Sequence, residues 1–344
     1  MTTMQEPAPG EIAVRTIPVQ LTGVGYAVPE QVLSNEDLAK LVETSDEWIA
    51  TRTGIRERRI LPGDQTLWSL CVPAARQALA QAQVDPADLD LIIVATSSPD
   101  YPMPSTAALV QAELGALRAA CFDMEAACSG YVYGLAVAKQ FIATGMYRNV
   151  LLIAADMLSR FMDYTDRGTC ILFGDGAGAT VLQAGRSEGV LSTILAADGR
   201  GAVHLDISPN AHEPAPPDRA VRQSFMHMNG KEIYKFVVDV VPPAIEKACA
   251  QAGITPQEVD FYILHQANMR ILEAVSKRLG LGEGRMLHNI SKYGNTSAAS
   301  IPLVLGEAVE AGTVKPGDKL CLVGFGSGLT WGAAIVEWTG GPTA

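Results

Sequence analysis

The chain has 344 residues, 48% of them hydrophobic, and a formal net charge of −11. That is enough apolar length for one large core or two halves of ordinary size, while the negative balance argues against nucleic acid as the main partner. No apolar run approaches the ~20 residues that span a bilayer and no early segment is ordered like a signal peptide, so a soluble, cytoplasmic protein outside the membrane is expected.

Residues 1–17 are polar and carry prolines, which predicts a flexible tail. Val19 to Val28 reads as a first strand, and Ser34-Asn35-Glu36-Asp37 as a helix start before Leu38, Leu41 and Val42. Thr44 to Arg59 then sets Trp48 among several arginines. Two readings stand: a short amphipathic helix ending at Gly54, or a surface cradle in which indole and guanidinium planes hold a nucleotide base or phosphate. Thr66 to Ala82 reads as a helix and Asp88 to Ala95 as a buried strand.

Around Cys121 to Gly145 the pattern changes. Ala119 to Phe122 reads as a strand, Glu125-Ala126-Ala127 as a tight turn, and the mostly apolar run from Cys128 as a helix buried on most sides. A thiol at a helix N-terminus meets free N–H groups and the positive dipole end, which favour a thiolate and hence a nucleophile. The plainer alternative is a structural buried cysteine. The six cysteines are scattered with no CxxC pair, which fits reduced thiols and speaks against a metal site.

Phe173 to Gly178 is rich in glycine, but a strand-like segment follows it, so tight packing is expected there in place of phosphate binding. Gly201 to Gln223, with four prolines, reads as an irregular surface excursion. Phe261 to Leu264 is a strand that delivers His265 to its carboxyl end, where α/β sheets commonly place site residues. Tyr293-Gly294-Asn295-Thr296-Ser297 precedes a further helix; Asn, Thr and Ser there are also ordinary caps.

The chain repeats itself. Asp85 to Asp90 and the strand after it match Thr255 to Asp260 and its strand at a shift of 170, and Val150 to Ala155 matches Leu320 to Phe325 at the same shift. The helix ends at Gly145 and Gly312 correspond at 167, which would set Cys128 on Asn295. Two related α/β halves, 18–190 with the cysteine and 191–344 with the histidine and asparagine, are therefore expected around a pseudo-twofold axis.

The segments TSDEWIATRTGIRERR, EAACSG, DRGTCILFGDGAGA, HMNGKEIYKF, LHQANMRI, KYGNTSAAS and GFGSGLTWG resemble, in order from about residue 18 to 339, those of beta-ketoacyl-acyl carrier protein synthase III. The resemblance implies a thiolase-like, five-layered αβαβα fold, a homodimer, and an acyltransferase that starts fatty acid synthesis. Such an enzyme condenses a short acyl-CoA with malonyl-acyl carrier protein through an acyl-cysteine and needs no cofactor. By it, Cys128, His265 and Asn295 are catalytic, and the backbone N–H groups of Cys128 and Ser327 form an oxyanion hole. Ser327 stands where the family often has Gly or Ala, which a backbone donor tolerates.

Thr44, Trp48, Arg52, Arg167, Gly230 and Asn268 would hold coenzyme A, and Lys235, Arg270, Lys277 and Arg278 the acidic carrier protein. Met103 replaces a frequent Phe that closes the acyl pocket across the dimer, so acetyl, straight and branched short primers all remain open. A thiolase would need a second cysteine in Gly324 to Gly328, and elongating ketosynthases carry histidine in place of Asn295. Chalcone-synthase-like enzymes share the triad, and the Trp48 segment favours the bacterial initiation enzyme. A related ketosynthase of secondary metabolism and a non-catalytic acyl-CoA-binding protein remain as alternatives.

Overall fold

A computed structural model describes residues 16–208 and 224–340. In chain order the first half contains β1 (Val19–Ala27), β2 (Val32–Ser34), α1 (Asn35–Leu38), α2 (Asp46–Thr53), β3 (Glu57–Arg59) and α3 (Leu67–Ala82), then β4 (Leu91–Ala95), α4 (Thr106–Leu114), β5 (Ala120–Met124), α5 (Gly130–Ala143), β6 (Asn149–Asp156) and β7 (Gly176–Ala184). The second contains β8 (Val190–Ala197), β9 (Leu205–Ser208), β10 (Phe225–Met228), α6 (Gly230–Gln251) and β11 (Phe261–Leu264), then α7 (Met269–Leu279), α8 (Ile290–Tyr293), α9 (Ser300–Glu310), β12 (Lys319–Gly326) and β13 (Thr330–Glu337).

One sheet runs β1-β7-β6-β4-β5 and the other β11-β12-β13-β8. In each, the inner parallel pair (β4 with β6, β11 with β12) is followed by two antiparallel neighbours. A rudimentary fifth strand completes the likeness, since Met286 bridges in parallel to Tyr262 where the first sheet has β5 beside β4. Helices α3 and α4 cover one sheet, α6 covers the other, and α5 and α9 touch both from between. The layers are thus αβαβα, each sheet buried on both faces except along its edge strands β5 and β8, and correspondingly rich in Val, Ile, Leu and Ala.

Glycine sets the closest of these contacts. A β-carbon on Gly23 or Gly25 of β1 would lie 2.1 Å from Ala78 O or 2.2 Å from Ala74 O, so α3 rides against bare backbone.

Two expectations are corrected. Single-turn 3₁₀ segments precede both central helices, Ala127–Ser129 before α5 and Ser297–Ala299 before α9. The shift is again 170, and Ala127 and Ser297 share the left-handed backbone at φ 46° and 51°. The counterpart of Cys128 is therefore Ala298, and Asn295 lies three residues earlier. The misplacement came from aligning C-terminal ends, because α9 has 11 residues and α5 has 14. Secondly, the excursion expected over 201–223 contains β9, paired antiparallel with β10, because Leu205 and Met226 are drawn into the core. Its prolines, like residues 1–15 of the expected tail, lie outside the described residues.

Candidate active site

The catalytic candidates converge where the two halves meet. Strand β5 ends at Met124, and Glu125 Oε1 accepts from Ala127 N at 2.8 Å, tightening the turn that carries Cys128. From the other half, β12 brings Gly324 and Gly326 against that turn. A β-carbon on Gly326 would lie 2.8 Å from Cys128 N, and one on Gly324 2.7 Å from Ser129 Cα. Only glycine lets backbone meet backbone so closely. A β-carbon on Gly130 at the head of α5 would lie 3.1 Å from the Ala95 β-carbon, a tight fit against a side chain.

Cys128 is 6% exposed, with the Ser297 hydroxyl 3.2 Å from its Sγ. Burial pushes its thiol up to about 12, opposed in part by the Ser297 hydrogen bond. This corrects the expectation of a lowered pKa. The thiol sits in the turn before α5, desolvated by both halves, and the loss of water outweighs what the helix end supplies.

His265 continues the β11–β12 ladder, its N–H donating to Val323 O at 2.8 Å. Its Nδ1 lies 2.8 Å from Ser300 Oγ and its ring meets Phe325 edge-on at 5.1 Å. Burial lowers its pKa to about 3, so it is neutral at physiological pH. Asn295 is fixed from both sides: its N–H donates to Leu172 O at 2.8 Å and its carbonyl accepts from Gly174 N at 3.0 Å. Its Oδ1 accepts from Ser297 N at 2.9 Å, which leaves the NH₂ on the far side of the amide.

Cys128, His265 and Asn295 together line one cavity of about 80 Å³, with Phe325 and Gly326 beside them and Gly230 and Asn268 also on its wall. A second cavity of about 210 Å³ reaches Cys128 among Leu158, Leu205, Ile207, Met226, Ser297 and Ser327. The nucleophile candidate therefore faces both spaces. Sequence reasoning missed the apolar wall and Ser297; the only signal for Ser297 was its place two residues after Asn295.

On the surface, α2 begins at the Ser45 cap and, as the sequence leads one to expect, ends at left-handed Gly54. The guanidinium carbons of Arg52 and Arg167 lie 4.7 and 4.6 Å from the Trp48 ring centroid. Arg167 also donates to Glu43 O, and the nearby Thr44 hydroxyl is buried without a hydrogen-bond partner. Arg270 joins Trp48, Thr51 and Arg52 around an open pocket of about 440 Å³. Lys235 and Arg278 are exposed with acidic neighbours, Glu232 at 2.8 Å and Asp239 at 4.0 Å, and Lys277 is exposed on the last turn of α7. Met103 is 82% exposed and lines neither buried cavity of its own chain. Among the described residues no group of three or more His, Cys, Asp or Glu could hold a metal, and no helix is long and apolar enough to cross a membrane.

Family models described as 3-oxoacyl-[acyl-carrier-protein] synthase III match residues 122–199, and the C-terminal model of the same name matches 249–338. The chain is 52% identical to beta-ketoacyl-[acyl-carrier-protein] synthase III of Gloeobacter violaceus over 93% of its own length and 98% of that protein, and 50% identical to that of Trichormus variabilis over 94% and 99%. Among solved structures, the 3-oxoacyl-[acyl-carrier-protein] synthase III of Aquifex aeolicus superposes with TM-score 0.87 at 43% identity, covering 93% of this chain and all of that one. The priming beta-ketosynthase of the R1128 polyketide pathway superposes with TM-score 0.91 at 34% identity, covering 97% and 100%. Fold and likeness together define a thiolase-like condensing enzyme, an acyltransferase. Within that class the chain belongs to the beta-ketoacyl-[acyl-carrier-protein] synthase III family.

Gly326→Ala is expected to fold yet displace the Cys128 turn, lowering the acylation rate about a hundredfold; burst-phase labelling by acyl-CoA measures it.

Proposed function

We propose that the protein condenses a short acyl-CoA primer with malonyl-acyl carrier protein, releasing coenzyme A and CO₂ and giving 3-oxoacyl-acyl carrier protein, the first condensation of fatty acid synthesis. The observation that carries this reading is a buried cysteine, a neutral histidine and a carboxamide on one cavity wall, in a chain of this family. Cys128 attacks the primer thioester and coenzyme A leaves, so the acyl group waits on sulfur in the apolar second cavity. Malonyl thioester then enters by the first cavity. Its carbonyl oxygen gains charge as CO₂ departs, and His265 and Asn295 donate to it.

With Nδ1 on the Ser300 hydroxyl, Nε2 is the nitrogen of His265 left for that oxygen. Neutral donors suit the step because decarboxylation makes the carbanion without a base. The carbanion attacks the acyl-cysteine, and the N–H groups of Cys128 and Ser327 receive the tetrahedral oxyanion. Thr44, Trp48, Arg52 and Arg167 hold the nucleotide of coenzyme A, and Gly230 and Asn268 line the way in for its arm. Lys235, Arg270, Lys277 and Arg278 receive the acidic carrier protein.

A homodimer is supported by the half-exposed edge strand β5 and the exposed Tyr101 and Met103 next to it, which a second copy would cover. Six free cysteines support residence in the reducing cytoplasm. The likeness to the R1128 priming enzyme favours a second reading, initiation of a secondary-metabolite chain, which primer profiling would separate.

Intact mass should show one acyl group after exposure to acyl-CoA, lost in Cys128→Ser and kept in Asn295→Ala. In Asn295→Ala the release of CO₂ from malonyl-carrier protein should fall roughly a hundredfold, the equivalent of about 3 kcal/mol for one lost donor. An unlabelled wild-type enzyme would refute the proposal.

Because the folded pKa of His265 is about 3 against 6.5 for a free histidine, CO₂ release should show no acid limb near pH 6.5. The same shift makes the unfolded chain bind a proton that the folded chain excludes, so this residue's contribution to stability should fall as pH drops from 6.5 toward 3; urea titrations measure it. Arg270→Glu should raise KM for malonyl-carrier protein far more than KM for acyl-CoA, and equal effects would refute the docking role.

A further inference from the structure

One buried cation beside the site is unused by this chemistry. Arg58, the middle residue of β3, has no exposed surface. Its guanidinium makes hydrogen bonds only to uncharged oxygens among the described residues. One terminal nitrogen, Nη1, donates to Leu33 O at 3.1 Å and Asn35 Oδ1 at 2.9 Å, and the other, Nη2, donates to Ile171 O at 2.7 Å. Burial lowers its pKa to about 10, which leaves it charged at neutral pH. A charge taken out of water without a counter-ion is unfavourable, and an apolar side chain would fill the same space at less cost. What the guanidinium holds must therefore matter.

On one side it holds the segment that carries Asn295. Ile171 leads into Leu172 and Phe173, which line the first cavity together with Asn295. Leu172 O accepts the Asn295 N–H at 2.8 Å, and Gly174 N donates to Asn295 O at 3.0 Å. The stem of Arg58 lies against the same two stretches. A β-carbon on Gly174 would come 3.0 Å from Arg58 Cβ, and one on Gly294, the residue before Asn295, would come 3.3 Å from it. On the other side Asn35, itself fully buried, donates from Nδ2 to Asp46 Oδ1 and to Ile55 O, both at 2.8 Å. Those two residues stand at the head of α2 and just past its end.

We infer that Arg58 is a positioning residue for the release of CO₂: by gripping Ile171 O it fixes the segment from which Asn295 hangs, and so aims the Asn295 amide at the thioester oxygen. The inference rests on the condensation reading above and adds what holds its second donor in place. The bond from Ser297 N to Asn295 Oδ1 sets the rotation of that amide, whereas the backbone bonds to Leu172 and Gly174 set where it starts from. A planar fork grips Asn35 and Ile171 at once; a lysine ammonium in its place reaches one or the other. Because Asn35 ties the far side of the fork to α2, Asn295 is also kept in register with the helix that carries Trp48.

Comparison of the two half-reactions tests the idea. Arg58→Lys keeps the cation and loses the fork. CO₂ release from malonyl-carrier protein should then fall by about tenfold or more in kcat, with KM changed less than about threefold, since a donor displaced by a fraction of its length is lost to the transition state and not to binding. Acylation of Cys128 at saturating acyl-CoA should stay within about threefold of wild type. In the Asn295→Ala background the same substitution should slow CO₂ release by less than about threefold further, because the donor it aims is already gone. Equal losses in both half-reactions, a loss carried by KM, or a second full loss without the asparagine each overturn the proposal and leave Arg58 a stabilising residue alone. Asn35→Ala leaves the guanidinium on Leu33 and Ile171 and carries the test if Arg58→Lys does not fold: it should slow CO₂ release about threefold to tenfold with acylation kept, and unchanged CO₂ release overturns the proposal. A wild-type enzyme that never acylates refutes the condensation reading instead.

Discussion

The structure depends on one contact, backbone against backbone, between the Cys128 turn of the first half and Gly326 at the end of β12 in the second. A side chain on either glycine of that strand end would come within 3 Å of the turn and force it to shift. The same approach desolvates the thiol and brings Ser297 to it. Reactivity and burial are therefore set by one packing decision.

Duplication explains why such a contact exists. Both halves run strand, left-handed turn and helix toward the axis, and both helices pack between the sheets. The copies have diverged in what the turn presents: Cys128 in one and Ala298 in the other, the second half contributing Asn295 from the segment just before its turn and His265 from the end of β11. The three candidate residues on one cavity wall thus come from both halves, and neither half alone has the set.

Electrostatics within the site follow from the absence of water. Burial keeps His265 neutral and pushes the Cys128 thiol up. A neutral imidazole suits an enolate oxygen, but a high thiol pKa needs a proton acceptor nearby. Local sequence suggested the opposite for the cysteine because a helix end is visible in a string of letters, whereas desolvation by a partner 200 residues away is not.

Strand and helix periodicities, the helix stop at Gly54 after Trp48, and the placement of Cys128, His265 and Asn295 at element ends were legible in the sequence, because each is a local pattern of polarity or turn chemistry, and the shift of 170 was legible because that pattern recurs. The register of the repeat at the site was not, since helix lengths differ between copies and only the left-handed turns mark equivalence. Nor were the β9–β10 pair, the second cavity or the contacts of Ser297 and Arg58. These arise from residues distant in the chain, brought together only when two sheets close on the central helices and expel water.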